Sequence, residues 1–385
     1  MKKTINKALD VAFNLYVKIL ILYYGYLNKK SNNQKSNEYR IMALPYYSKN
    51  YPGGHSRIGD WKPYFKKDKI VYDVYWASNS ETFLNDFYSE KALNRYRFFF
   101  QVLSSRAKLI SQIKNYDAVW IQRAFVPFYP FKKAYFEKLI CKLNPNITID
   151  YYDADYESNY KLTVDSAFFA NKVSVASPYL ENYFKKINLK TYYLPFAIKH
   201  TDYKLKNYND INEDVIIGWM GSPENFENII KIQDSLIEIE KKNENIRFIF
   251  ICREKFELKL NKVEFLKWSD EGFDYFKTIA SFDIGLAPMM ERNERNMAKT
   301  AFKILEYMSS GVPFVSSPWG IPEHLKHGQN TLLSYSEEDW VKNINSLLSS
   351  RKKREQIGQN GYRTMVEKFS YSAVYKKLKN ILLNE

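Results

Sequence analysis

The polar stretch "KHTDYKLKNYNDINED", residues 199–214, divides the chain into two parts that repeat one pattern. It has no apolar period and reads as a connection. On either side, short apolar runs alternate with segments of helical period. Before it stand "EYRIMALPYY", "DKIVYDVYWAS", "DAVWIQRAF", "ITIDYYDAD", "NKVSVAS" and "TYYLPFAI". After it stand "VIIGWMGS", "IRFIFICR", "VEFLKW", "DIGLAPM" and "PFVSS". Runs of this length and composition suit strands buried on both faces, as in parallel sheets. Strand–helix alternation on both sides predicts two doubly wound α/β domains, at 38–200 and 213–362. A chain of 385 residues is too long for one ordinary core, which agrees. A last helical segment, 363–385, is placed to pack back on the first domain. In such sheets ligands bind beyond the carboxyl ends of the strands.

Hydrophobic residues at 45% and charged residues at 26% mark a globular chain. With 58 basic against 43 acidic residues, the net charge of +15 admits nucleic acid, an anionic membrane or phosphorylated small molecules. The charge is spread along the chain, with no arginine-rich run, zinc-finger spacing or RNP-like aromatic motif, so no nucleic-acid partner is expected. Cys141 and Cys252 lie far apart without CxxC spacing and read as reduced thiols of a cytosolic protein. His324 and His327 are read as loop residues rather than a metal pair.

The most apolar stretch is "INKALDVAFNLYVKILILYYGYL", interrupted by Lys18 and followed by the basic "NKKSNNQKSN". Lys7, Asp10, Asn14 and Lys18 share one helical face, and Leu9, Phe13, Tyr16, Leu20 and Tyr23 occupy the others. Residues 1–37 therefore read as an amphipathic helix and linker. The helix lies either at the cytoplasmic face of an anionic membrane or on the protein's own surface. A spanning helix and a cleaved signal fit less well.

"AKTAFKILEYMSSGVPFVSSPWGIPEHLKHGQN" opens at Ala298 and reads as a helix closed by Gly311 and Pro313. Ala301, Ile304, Leu305 and Met308 form its core stripe. Lys299, Lys303 and Glu306 lie off it, with 299 and 306 two turns apart on one face. A lysine opposes the macrodipole at a helix start, yet suits a bound phosphate there. The rival reading is a Lys303–Glu306 surface ion pair. In "GWMGS", the amides of Gly221 and Ser222 are candidates to hold a diphosphate without a metal, or the glycines serve close packing. Arg253 is either a phosphate contact or a solvated cation. Trp268, at the end of "VEFLKW", is either a ligand contact or a core residue. In the first half, Gly53, Gly54, His55 and Arg57 occupy the first strand-end loop. Arg57 and Arg123 are cations for a diphosphate, or partners for Asp153. Asp150, Asp153 and Asp155 read as loop-capping carboxylates at a strand end rather than a metal site.

"GWMGSPENFENI", "VEFLKWSDEGF", "DIGLAPM" and "KTAFKILEYMSSGVPFVSSPWGIPEHLKHGQNTLL", in this order and spacing, resemble the donor-binding half of GT-B glycosyltransferases of the retaining family 4 group. The likeness is specific over 215–333 and weaker in the amino half, where "GGHSR", "WIQRAF" and "IDYYDAD" resemble strand-end loops of that group. It implies two facing Rossmann-like domains, a nucleotide-sugar donor, no cofactor and no metal. It also implies a glycan or lipid-linked acceptor, in bacterial surface polysaccharide assembly at the inner face of the plasma membrane. Glu306 matches the second of two motif glutamates, which binds the donor ribose. The first falls at Ala298, a departure, and Lys299 fits a version with lysine beside that position. The implied catalytic cations are Arg57, Arg123 and Lys299. Gly53, Gly54, His55, Asp153, Gly221, Ser222, Arg253, Trp268, Lys303 and Glu306 are the substrate-binding candidates. Two rivals remain: a nucleotide-sugar epimerase on this fold, which turns over donor without acceptor, and an inactive membrane-surface scaffold, which binds none.

Overall fold

The computed structural model describes residues 2–30, 38–49, 52–78, 83–128, 132–210, 213–289 and 291–383. The chain forms two compact units. One comprises Met1–Val175, Leu180–Leu194 and Tyr375–Glu385, and the other Ala176–Tyr179 and Pro195–Val374. The polar stretch at 199–214 thus falls inside the second unit: Lys206 N–H donates to the Ser310 carbonyl, and its ammonium pairs with Asp283 at 3.0 Å.

The first unit holds strands β1 (Arg40–Leu44), β2 (Val71–Val74), β3 (Ala118–Gln122), β4 (Ile147–Tyr151), β5 (Lys172–Val175) and β6 (Thr191–Tyr193). They form one sheet, ordered β2-β1-β3-β4-β5-β6, with every pair parallel. The second unit holds β7 (Val215–Met220), β8 (Ile246–Ile251), β9 (Val263–Leu266), β10 (Ile284–Ala287), β11 (Phe314–Ser316) and β12 (Leu332–Leu333), ordered β12-β11-β10-β7-β8-β9 and again parallel. The order reverses between β1 and β3 in one sheet and between β7 and β10 in the other. Those crevices are where the topology leaves room for ligands.

Period-two side-chain alternation sorts the second core onto both faces of its sheet. Ile217, Trp219, Phe248 and Phe250 bury on one face, and Ile216, Met220, Ile249 and Ile251 on the other. Each such side chain contributes about 1.5–3 kcal/mol on full burial. Two glycines allow close approach to the sheet. A Cβ on Gly218 would sit 2.1 Å from the Phe282 ring, and one on Gly285 would sit 2.9 Å from the Tyr307 ring. The segment after β7 forms two helices, Phe226–Lys231 and Gln233–Lys242, that meet at Ile232.

The first helix, Lys2–Lys30, packs one side on its own unit and leaves apolar residues on the other. Its packed side carries Val17 and Asn28, with Asn28 Nδ2 donating to the Ile110 carbonyl at 2.7 Å and Gly25 lying against Leu139. Its outer side carries Val11, Leu15, Ile19, Leu22 and Tyr26, each more than half exposed. The side chains of Lys7, Leu9, Asp10 and Phe13 and the linker 31–37 lie outside the described residues. Among the described residues no helix is long and apolar enough to cross a membrane.

Candidate active site

The second unit gathers its chemistry at the carboxyl ends of β7 to β11. The decisive helix is Phe302–Ser309, shorter than the sequence predicts. A five-residue helix, Glu294–Ala298, precedes it, capped by the Asn293 side chain accepting from Asn296 N–H. The chain then runs extended through Lys299 (φ −67, ψ 153), and Ala301 N–H is taken by the Gly320 carbonyl at 2.9 Å. Lys299 is therefore not on the face of Glu306 but on the extended link before its helix. Gly311 closes that helix at φ +65, as expected.

Glu306 is held by two phenols. Tyr275 and Tyr203 donate to the same carboxylate oxygen, Oε1, at 2.8 and 2.9 Å. Burial raises the carboxyl above its ordinary range, while Tyr275, Tyr203 and Lys303 draw it down. With both protein donors on Oε1, Oε2 is left for a ligand. Tyr307 fixes the helix beneath, donating to the Leu286 carbonyl at 2.9 Å. The Lys303 ammonium lies 4.8 Å from the Trp219 ring centroid. Its pKa is pushed down to about 8: burial is the main cause, Glu306 opposes it, and Lys299 adds to it. Lys299 and Lys303 thus face one region, and their repulsion is relieved when an anion enters. The simple surface ion pair is not what forms, because Glu306 Oε1 is held by the tyrosines and Lys303 rests on an indole. Trp268 follows β9, half exposed, with its ring edge-on to Tyr275 at 6.3 Å, so an exposed aromatic face and Glu306 share one partner.

The turn after β7 differs from expectation. Gly221 N–H donates to the Ile251 carbonyl at 3.1 Å, continuing the ladder with β8, so it is not offered to a phosphate. A Cβ at Gly221 would meet the Trp219 ring at 2.5 Å, so the glycine is there for packing. The Ser222 hydroxyl accepts from Asn225 Nδ2 at 3.0 Å and also bonds the Glu224 carboxylate. Arg253 is exposed after β8, and its charge helps hold Glu224 below the ordinary range. Beyond β11 lies a cavity of about 350 Å³, lined in part by Arg292, Met297, Trp319, Gly320 and Tyr335, which the sequence reading missed. The Trp319 indole N–H is buried beside it without a protein partner.

In the first unit the structure disperses the expected cluster. Arg57 is 2% exposed and makes a bidentate pair with Asp150, Nε–Oδ2 2.8 Å and Nη2–Oδ1 2.7 Å, while Nη1 donates to the Leu194 carbonyl. This is a buried clasp between loop and strand, not a ligand contact; Asp150, rather than Asp153, is its partner. Gly53, Gly54 and His55 form a helical turn, Pro52–His55, instead of an open loop. The Gly53 carbonyl accepts from Gln122, and Gly54 packs on Trp76. Both ring nitrogens of His55 are engaged, by Asp60 and by the Lys49 carbonyl. Arg123 does pair with Asp153 (2.5 Å) and also with Asp155 (3.3 Å), its guanidinium 4.3 Å from the Tyr152 ring centroid. It takes φ +62 directly after β3, a strained conformation for a non-glycine residue at the sheet's switch point. Asp155 is raised to about 7, by burial first, with Arg123 opposing. That upward shift was not visible in the sequence.

A second cavity of this unit, about 630 Å³, lies between the end of β2 and the helix Ala92–Leu109. Trp76, Asp86, Asn94, Arg97, Gln101 and Ser105 are among its lining. An aromatic face amid amide, hydroxyl, carboxylate and guanidinium groups is the chemistry that holds a sugar.

Comparison with known proteins agrees with this geometry. A family model described as "Glycosyl transferase-like" matches residues 233–380. No curated protein matches the chain by sequence. Among solved structures, a glycosyltransferase from Rickettsia africae is 15% identical with a TM-score of 0.64, covering 91% of this chain and 100% of that one. HepE from Anabaena, solved with UDP and glucose, is 15% identical with a TM-score of 0.58, covering 90% and 99%. Sucrose-phosphate synthase from Thermosynechococcus elongatus is 10% identical with a TM-score of 0.60, covering 90% and 99%. The chain thus matches a glycosyl transferase-like family model over residues 233–380, and it shares the GT-B fold of these solved structures.

Proposed function

We propose that this protein transfers a glycosyl group from a nucleoside-diphosphate sugar, bound by the second unit, to a hydroxyl of a glycan or lipid-linked acceptor. The observation that carries the reading is the set Glu306, Lys303 and Lys299 at the carboxyl end of a parallel sheet, inside the segment that matches glycosyl transferases. Glu306 Oε2 accepts from ribose hydroxyls while Tyr203 and Tyr275 hold Oε1. Trp268 stacks on the base. As the glycosidic bond breaks, negative charge grows on the leaving diphosphate. Lys299 and Lys303 neutralise it in a recess where charge is weakly screened. The lysine pair supplies the charge that a divalent ion would otherwise bring, so no metal is assigned. That the HepE structures hold UDP and UDP-glucose supports the same donor class here.

Retention follows from the family resemblance, with a donor phosphate oxygen taking the acceptor proton. The acceptor belongs to the sugar-sized cavity of the first unit. The apolar outer side of the first helix and the charge of +15 support peripheral docking on an anionic membrane, in surface polysaccharide assembly. A thermal-shift screen against nucleotide sugars tests the reading. At least one nucleoside-diphosphate sugar raises the midpoint, and transfer needs an added acceptor. A flat response across all bases sinks it, and turnover without acceptor favours the epimerase.

A further inference from the structure

The first helix is not alone in exposing apolar groups. On the helix Ala92–Leu109, Leu93, Tyr96 and Phe100 are exposed, and the Phe100 ring lies 5.4 Å from that of Tyr16. The Tyr16 hydroxyl is also 3.3 Å from that of Ser104. The two apolar stripes are therefore neighbours and make one surface. Residues 11–30 and 92–115 contain no carboxylate, yet they carry Lys18, Lys29, Arg95, Arg97 and Lys108, all exposed. Glu90, exposed just before the helix Ala92–Leu109, is a nearby carboxylate, but cations outnumber it around the patch. An apolar patch with such a fringe is complementary to an anionic lipid bilayer, whose headgroups attract the fringe while its hydrocarbon accepts the stripe.

The helix Ala92–Leu109 also walls the large cavity, with Asn94, Arg97, Phe98, Gln101 and Ser105. At about 100° per residue, Leu93, Tyr96 and Phe100 fall within about 60° of one another, and Asn94, Phe98, Gln101 and Ser105 centre about 140° further round. Arg97 lies between the two, about 40° from Leu93 and about 40° from Gln101. One helix thus presents lipid-facing groups, then a cation, then a polar cavity. Beneath the same helix Arg106 is 1% exposed; it donates only to the Pro45 carbonyl, and its Nε and Nη1 have no partner. Among the described residues no carboxylate pairs with it.

We infer that the two helices together dock on an anionic bilayer, and that Arg97 binds the phosphate of a lipid-linked acceptor whose sugar enters the adjoining cavity. This rests on the transferase reading and names its acceptor class: the lipid chain stays in the bilayer, the phosphate stops at Arg97, and the sugar reaches Trp76 and Asp86.

The test uses the full chain and two probes. Flotation with vesicles of phosphatidylglycerol and phosphatidylcholine measures docking. Leu15→Asp and Leu93→Asp should each lower partition about tenfold, while Leu189→Asp, at an exposed site elsewhere, leaves it unchanged. Full partition of Leu93→Asp overturns the two-helix face. Calorimetry with farnesyl diphosphate, in saturating UDP to occupy the donor site, measures the acceptor arm. Arg97→Gln should weaken binding about tenfold and Arg97→Lys by less. An unchanged affinity overturns the role of Arg97. UDP affinity is read on the same samples. Its absence from the unsubstituted chain refutes the transferase reading, whereas normal UDP binding beside unaltered vesicle and farnesyl diphosphate binding in the variants refutes this inference alone.

Discussion

The Tyr275 hydroxyl donates to Glu306 Oε1 at 2.8 Å, and this bond holds the carboxylate in place while opposing the rise that burial imposes on its pKa. Burial lifts the Glu306 carboxyl and Tyr275 draws it back, so Tyr275→Phe lets it rise further. UDP affinity should fall about three- to tenfold, and more at the lower of two pH values than at the higher, because more of the carboxyl is then neutral. Calorimetry at both values checks this. A loss independent of pH would mean that Tyr275 acts only by packing.

Glu306→Gln keeps the shape of the side chain and removes its charge. The ribose loses a charge-assisted acceptor, so UDP should bind about tenfold or more weakly, while inorganic diphosphate is unaffected. Equal losses for both ligands would place Glu306 near the phosphates.

Lys303 sits at about 8 because it is buried and near Lys299. A bound diphosphate favours its charged form and raises that value. Between about pH 8 and 9, nucleotide binding should therefore take up protons. The binding enthalpy should then vary with the ionisation enthalpy of the buffer, and Lys303→Met should abolish the variation. A buffer-independent enthalpy in the unsubstituted chain would separate Lys303 from the phosphates.

Arg57 and Asp150 form a buried pair, and removing one partner strands the other charge. Arg57→Ala should cost about 3–5 kcal/mol in chemical denaturation. Arg57→Lys should not restore it, because one ammonium cannot replace the two-pronged clasp. An Arg57→Ala chain of full stability and no activity would return Arg57 to the catalytic machinery.

Both sheets were legible because buried parallel strands leave apolar runs such as "AVWIQ" and "IRFIFI", which no other element explains as well. Glu306 was legible through its motif. Its partners were not, because Tyr203 and Tyr275 come from distant segments and only folding brings them together. Lys299 was misplaced since helical period carries on past a helix start. The real start lies after the extended residues Lys299 and Ala301, where the Gly320 carbonyl takes Ala301 N–H. Arg57 and Gly221 read as ligand contacts because a sequence shows residue type but not who already holds the group. The first helix was legible as amphipathic. Which side it would bury depended on Ile110 and Leu139, far along the chain.

The most direct measurement is a crystal structure of the full chain with a nucleoside diphosphate. Ribose hydroxyls on Glu306 Oε2, with the diphosphate within ion-pair reach of Lys299 or Lys303, are the expected result. A nucleotide seated away from the helix Phe302–Ser309, with Glu306 contacting only Tyr203 and Tyr275, would contradict it.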